Sequence, residues 1–134
     1  MTILIDANIF CAYANERDVH HKKAVQLLQS ILSKKYGDVI TTDYIFDEVI
    51  SVTLRKATKK ETLELGNFLL HSEIFIAKID TLLFEKAWRL FKEIDSFNFT
   101  DCSTLAFMDL FSVKHIATFD KAFKKVDWVI VVDQ

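Results

Sequence analysis

The run Met1-Thr-Ile-Leu-Ile-Asp6-Ala-Asn8-Ile-Phe10 decides how the rest of the chain is read. Thr2–Ile5 is β-compatible and mostly β-branched. Its hydrophobicity is continuous rather than alternating, which suits a strand covered on both faces of a parallel sheet. The run stops at a carboxylate, and an amide follows two positions later. Ligands of open α/β sheets gather in the crevice beyond the carboxyl ends of the strands. A strand ending at Asp6 therefore delivers that side chain to the crevice.

Outward from this strand, helical and extended patterns alternate. Ile9–Ala14 reads as a short helical turn and Asn15–Asp18 as a polar loop. Val19–Lys34 carries Ala24, Leu27, Leu28, Ile31 and Leu32 on one helical face. Gly37 is expected to cap that helix at its C-terminus, and Val39–Thr42 reads as a second strand. Thr42 or Asp43 can open a helix over Tyr44–Lys56, apolar around so much of its circumference that burial on more than one side is expected. Lys59–Ser72 gives another helix and Ile74–Ile79 a third strand. Asp80 or Thr81 opens a helix to Ile94, and Thr100 and Asp101 open one to Phe111. His115–Phe119 is a fourth strand, Asp120–Lys124 a helical turn, and Trp128–Val132 a final strand. The alternation predicts a three-layer α/β/α sandwich on a central, mainly parallel five-stranded sheet.

With 134 residues, 51% of them hydrophobic, the chain fits a single domain over 1–134 with a substantial core. Its formal charge of −2 leaves nucleic-acid binding to a local basic face or to metal ions. The two cysteines, Cys11 and Cys102, form no CxxC and read as small buried hydrophobes rather than a zinc site or disulfide framework. Twelve Phe, three Tyr and two Trp supply aromatic surface for a core, a subunit interface or both. No signal peptide and no membrane span is recognisable, so a cytoplasmic protein is expected.

Four acids share a placement. Asp6 ends the first strand, Glu48 lies one turn into the helix after the second, Asp101 starts the helix before the fourth, and Asp120 follows the fourth. Asp101 and Asp120 would also serve as ordinary helix caps. As a set, unpaired carboxylates in one crevice repel one another and raise each other's pKa. Divalent cations relieve that repulsion. Mg²⁺ and Mn²⁺ favour oxygen ligands and assist hydrolysis of phosphodiesters. Asp47 competes with Glu48, but neighbours on a helix point about 100° apart.

The segments Ile3-Leu-Ile-Asp6-Ala-Asn8, Asp47-Glu48-Val49-Ile50, Phe99-Thr100-Asp101-Cys-Ser-Thr-Leu-Ala106 and Ala117-Thr118-Phe119-Asp120-Lys-Ala-Phe123 resemble, in order and spacing, those of PIN-domain ribonucleases. The resemblance covers nearly the whole chain and is to the VapC-type toxins of toxin–antitoxin pairs. It implies Mg²⁺- or Mn²⁺-dependent cleavage of RNA by metal-activated water, and inhibition by a cognate antitoxin. By position, Asp6, Glu48, Asp101 and Asp120 match the family's acids, while Asn8 and Thr118 match polar residues that orient ligands or water. Lys121 and Lys124 are candidates for holding substrate phosphates, as are Lys125, His115, Arg17, Lys22 and Lys23. An ordinary solvated face is the alternative for all of them. His20 and His21 read as surface or partner-contact residues.

Two other functions stay open on the sequence. One is a phosphatase with Asp6 as nucleophile, although the second Asp of that motif is Asn8 here. The other is a non-catalytic module binding RNA or protein. Asp6→Asn, nearly isosteric, is expected to abolish cleavage with the fold intact. The aromatic content and the apolar helix Tyr44–Lys56 predict a homodimer.

Overall fold

The computed structural model describes Met1–Gln134. Its five strands are β1 (Thr2–Ile5), β2 (Asp38–Thr42), β3 (Phe75–Ala77), β4 (His115–Ala117) and β5 (Ile130–Val132). They form one sheet in the order β3-β2-β1-β4-β5, with every neighbouring pair parallel. The helices are α1 (Ala7–Ala14), α2 (His21–Leu32), α3 (Asp43–Lys56), α4 (Lys59–His71), α5 (Thr81–Glu93) and α6 (Phe99–Leu110), with a 3₁₀ turn at Lys121–Lys125. Right-handed crossovers place α1–α4 on one face, because the chain steps from β1 to β2 to β3 in one direction. It then returns across the sheet to β4 through α5 and α6, which must lie on the other face. The expected α/β/α sandwich is what the chain forms.

β1 is central and wholly enclosed: Ile3, Leu4 and Ile5 are each 0% exposed. Full burial of such side chains stabilises by roughly 1.5–3 kcal/mol apiece. They belong to a single core cluster of 32 residues. The direction of strand succession reverses between β1 and β4, so the crevice at their carboxyl ends is the topological switch point, where such folds bind ligands.

Several boundaries differ from the sequence expectation, each for a local reason. α2 starts at His21 rather than Val19, because Asn15–His21 forms two successive turns (Asp18 N–H to Asn15 O, 2.9 Å; His21 N–H to Asp18 O, 3.0 Å) and Val19 is left exposed. The left-handed residue ending α2 is Lys34, at φ 72°, not Gly37. Gly37, at φ 81°, instead turns the chain into β2 so close to Met1 that a Cβ there would overlap the Met1 carbonyl. β3 is shortened because the Ile79 N–H leaves the ladder and donates to Asp43 Oδ1 at 3.0 Å, fixing the start of α3.

α3 is covered on more than one side, as expected, since it packs against α1, α4 and the sheet. Its buried residues are Ile45, Val49 and Thr53, while Leu54 is exposed. The large exposed apolar stripe lies on α5, where Phe84, Trp88 and Phe91 recur at helical spacing around Phe99. No helix is long and apolar enough to cross a membrane.

Candidate active site

Asp6 sits where β1 becomes α1, 5% exposed. Its Oδ1 caps α1 by accepting from the Ala7 N–H at 2.7 Å, and its Oδ2 accepts from the Thr118 hydroxyl at 2.8 Å. The Asn8 amide is oriented by the Phe119 N–H, which donates to its Oδ1 at 3.0 Å. Asn8 Nδ2 therefore faces Thr118 Oγ1 at 3.0 Å and Asp6 Oδ2 at 3.4 Å. The Asp120 N–H also donates to Thr118 Oγ1, at 3.0 Å.

A hydroxyl has one proton and two lone pairs. Thr118 accepts from Asn8 and from the Asp120 N–H, so its single proton has only Asp6 to go to. Asp6 Oδ2 is thereby held as an acceptor. Asn8 and Thr118, expected to orient ligands, here orient the Asp6 carboxylate itself and tie β1 to β4.

The other acids arrive by comparable devices. Asp120 caps the 3₁₀ turn, its Oδ1 accepting from the Ala122 N–H at 2.9 Å. Asp101 is the third residue of α6, not its cap. Asn98 Oδ1 accepts from the Asp101 N–H at 2.8 Å, and Asp101 Oδ2 accepts from the Asn98 N–H at 3.1 Å. This is a reciprocal capping box. Three of the four acids are thus also capping groups, and the partial positive charge of a helix start favours a carboxylate there. Glu48, one turn into α3, makes no such bond. It is half-buried, whereas Asp47 is exposed.

These carboxylates act on one another electrostatically. Burial raises Asp6, with a further upward push from Asp120. Glu48 is raised by burial first and then by Asp6 and Asp47. Asp101 is pushed up to about 7, mainly by burial, then by Asp6, with Asp120 and Glu48 adding to it. None of the three ion pairs, Lys34–Glu73, Lys86–Asp109 and Lys124–Asp133, compensates any of the four. The side chains do not close into a ready-made group of three metal ligands. Even so, an all-oxygen set of mutually repelling carboxylates with no internal cation matches the donor chemistry of Mg²⁺ or Mn²⁺.

Around the acids, Lys121 is exposed and in none of the ion pairs, while Lys124 is bonded to Asp133 at 2.9 Å. A polar cavity of about 490 Å³ opens between α1, α3 and α4, lined among others by Cys11, Arg17, Asp18, Thr53 and Lys56. The Cys11 thiol is pushed up to about 11 by burial and by the Glu48 charge, which makes it an inert neighbour of the acids. The adjacent histidines part company. His21 Nδ1 lies 2.8 Å from the Ala12 carbonyl, and the exposed His20 ring stacks on Phe119 with centroids 4.6 Å apart. Pairing His20 with Phe119 was not legible in the sequence; the only signal was an aromatic residue between two polar site positions.

The PIN domain family model matches residues 3–129. A VapC ribonuclease of Archaeoglobus fulgidus is 28% identical over 92 residues, which cover 69% of this chain and 58% of the relative, so the chain spans little more than half that protein's length. Among solved structures, VapC20 of Mycobacterium tuberculosis, described as a sarcin–ricin loop cleaving toxin, superposes with a TM-score of 0.84 at 20% identity, covering 95% of this chain and 96% of that one. VapBC2 of Rickettsia felis, bound to a promoter DNA fragment, gives a TM-score of 0.74 at 12% identity, covering 98% of each chain. A toxin–antitoxin complex of Klebsiella pneumoniae gives 0.68 at 18% identity, over 96% and 95% of the two chains. With the family model spanning β1 to the approach to β5, the chain belongs to the PIN domain family.

Proposed function

We propose that this chain is a Mg²⁺- or Mn²⁺-dependent endoribonuclease, acting as a single domain over residues 1–134 in the cytoplasm. The observation that carries the reading is the set of four carboxylates, from four different elements, of which Asp6, Glu48 and Asp101 are raised by burial and by neighbouring acids, with no ion pair of the protein's own to offset them. Asp6, Glu48, Asp101 and Asp120 would hold the ion. When bound, such an ion offsets the acids' charge, polarises the phosphoryl oxygens and activates the water that attacks phosphorus.

The chain's own residues do the remaining work. Thr118 and Asn8 hold Asp6 as an acceptor, Glu48 approaches from α3, and Lys121, exposed and in none of the ion pairs, would steady a substrate phosphate. Lys124, paired with Asp133, is less available for that task. No side chain acts as a covalent nucleophile. The deep burial of Asp6, with both its oxygens already accepting hydrogen bonds, counts against the phosphatase reading.

The partner is a cognate antitoxin, as supported by neighbours solved as toxin–antitoxin complexes. The chain self-associates as a homodimer, through the exposed Phe84, Trp88 and Phe91 of α5 rather than through α3. The deciding experiment is cleavage of single-stranded RNA with Mg²⁺ or Mn²⁺, with and without EDTA, beside Asp101→Asn. Cleavage that persists in EDTA or in the variant would overturn the assignment.

A further inference from the structure

The loop between α1 and α2 is held by hydrogen bonds that do not involve its aromatic side chain. Asn15 Oδ1 accepts from the Arg17 N–H at 3.1 Å, Asp18 Oδ1 accepts from the His20 N–H at 2.8 Å, and the two backbone turns described above complete it. The neighbouring His21 already anchors α2 to α1 through the Ala12 carbonyl. The His20 ring nevertheless lies nearly parallel to Phe119, at an interplanar angle of 21°, with its residue exposed. A half-buried phenyl thus supports one face of an imidazole whose other face is open to solvent.

The position of the stack gives it meaning. Phe119 stands between Thr118 and Asp120, and its N–H fixes the Asn8 amide. Consecutive Cα atoms are about 3.8 Å apart, so the backbone of Phe119 adjoins that of Asp120 and the stack lies beside the acidic site. Arg17, Lys22 and Lys23 lie near His20 in sequence, exposed and absent from the ion pairs. Aromatic faces beside cations are how proteins hold single-stranded nucleic acid, because every base offers a π-face.

We infer that the open face of His20, backed by Phe119, stacks on the nucleobase next to the phosphate held at the acids, so that the site takes RNA whose base is unpaired at that position. This rests on the ribonuclease reading above. A base inside a duplex keeps both faces covered by its neighbours and offers none to His20.

The test compares wild type, His20→Ala and His20→Phe on single-stranded RNA oligonucleotides carrying one abasic site, moved along the strand. In the wild type, one position beside the cut raises KM by about 5- to 10-fold when its base is removed, the lower part of the stacking range. His20→Ala raises KM on intact RNA by a similar factor and adds nothing on that abasic RNA. His20→Phe restores wild-type KM, while kcat and thermal stability stay unchanged throughout. Equal losses for His20→Ala on intact and abasic RNA would mean that His20 merely orders the loop, and no loss at all would equally overturn the platform. Wild-type protein that cuts no RNA with either metal defeats the ribonuclease reading and the platform with it, a result readily told from the other two.

Discussion

Two helices of this chain begin with the same device and use it to opposite ends. At α4, Thr58 and Glu61 form a capping box: the Glu61 N–H donates to Thr58 Oγ1 at 3.1 Å and Glu61 Oε1 accepts from the Thr58 N–H at 3.2 Å. At α6, Asn98 and Asp101 do the same. Yet the Glu61 carboxyl is lowered by those bonds, whereas Asp101 is pushed up to about 7. The local motif is shared, so the difference comes from the surroundings. Glu61 is in open solvent, and Asp101 is partly buried in the field of Asp6, Asp120 and Glu48. A carboxylate whose local bonds favour charge while its neighbours oppose it is held in place for something other than stability.

The sharpest way to break this comparison is to neutralise each acid in turn. Asp101→Asn can still accept from the Asn98 N–H, so it should leave α6 intact. RNA cleavage should fall by more than the about 10- to 100-fold typical of losing a supporting residue at a metal site. The metal-free melting temperature at pH 8 should hold or rise, as checked by thermal unfolding. Glu61→Gln should leave cleavage unchanged.

A second prediction separates Asp6 from Asp101. An amide at position 6 must place an N–H group against either the Ala7 N–H or the Thr118 hydroxyl, whose lone pairs are already used. Asp6→Asn should therefore destabilise the fold by about 1–3 kcal/mol, the toll of a buried unmatched polar group. This departs from the expectation, based on near-isostery, that the fold stays intact. Chemical denaturation of the two variants side by side is the check, and equal stabilities would refute the hydrogen-bond count.

Next in size is the pH dependence. Folded Asp101 keeps a proton that the unfolded chain gives up, so its contribution makes stability fall as pH rises from about 3.8 to about 7. Glu61 works in the other sense: its contribution is present above its unfolded pKa and is lost as pH falls through the lowered folded value. Unfolding curves in EDTA should show the falling slope, which Asp101→Asn flattens and which Mn²⁺ opposes by binding only the folded chain. The smallest effect expected is at α4, where Thr58→Ala removes a cap for about 1 kcal/mol and leaves cleavage as it was.

Much of this was legible from local pattern. A continuous apolar strand announces a covered parallel sheet, and carboxylates at strand ends and helix starts announce where the sheet's edge collects charge. Asp6, Asp101 and Asp120 could be grouped on those grounds, while it is the family resemblance that favours Glu48 over Asp47. The saturation of the Thr118 hydroxyl could not, since its partners lie at residues 6, 8 and 120 and meet only once β1 and β4 pair. The exposed stripe on α5 escaped as well. Phe84 and Phe91 have the periodicity of a buried face, and nothing local tells a helix which of its apolar sides the sheet will cover. Val19 shows the limit of periodicity in the other direction, because two turns set by Asn15 and Asp18 end the helix before it.

The position of β1 between β2 and β4 also fixes when the acid-lined edge comes into being. Thr118 and Asp6 are 112 residues apart in sequence. Contacts of such long range are slow to form, since the closure entropy of the intervening chain must be met first. Synthesis delivers the N-terminal end first, so β1 and β2 with their helices are available while one edge of β1 is still bare. Through that interval Asp6 lacks both the hydroxyl that orients it and the carboxylate of Asp120. Closure of the β1–β4 ladder is therefore also the assembly of the acid cluster, and a nascent chain carries the scaffold of the site before it carries the site.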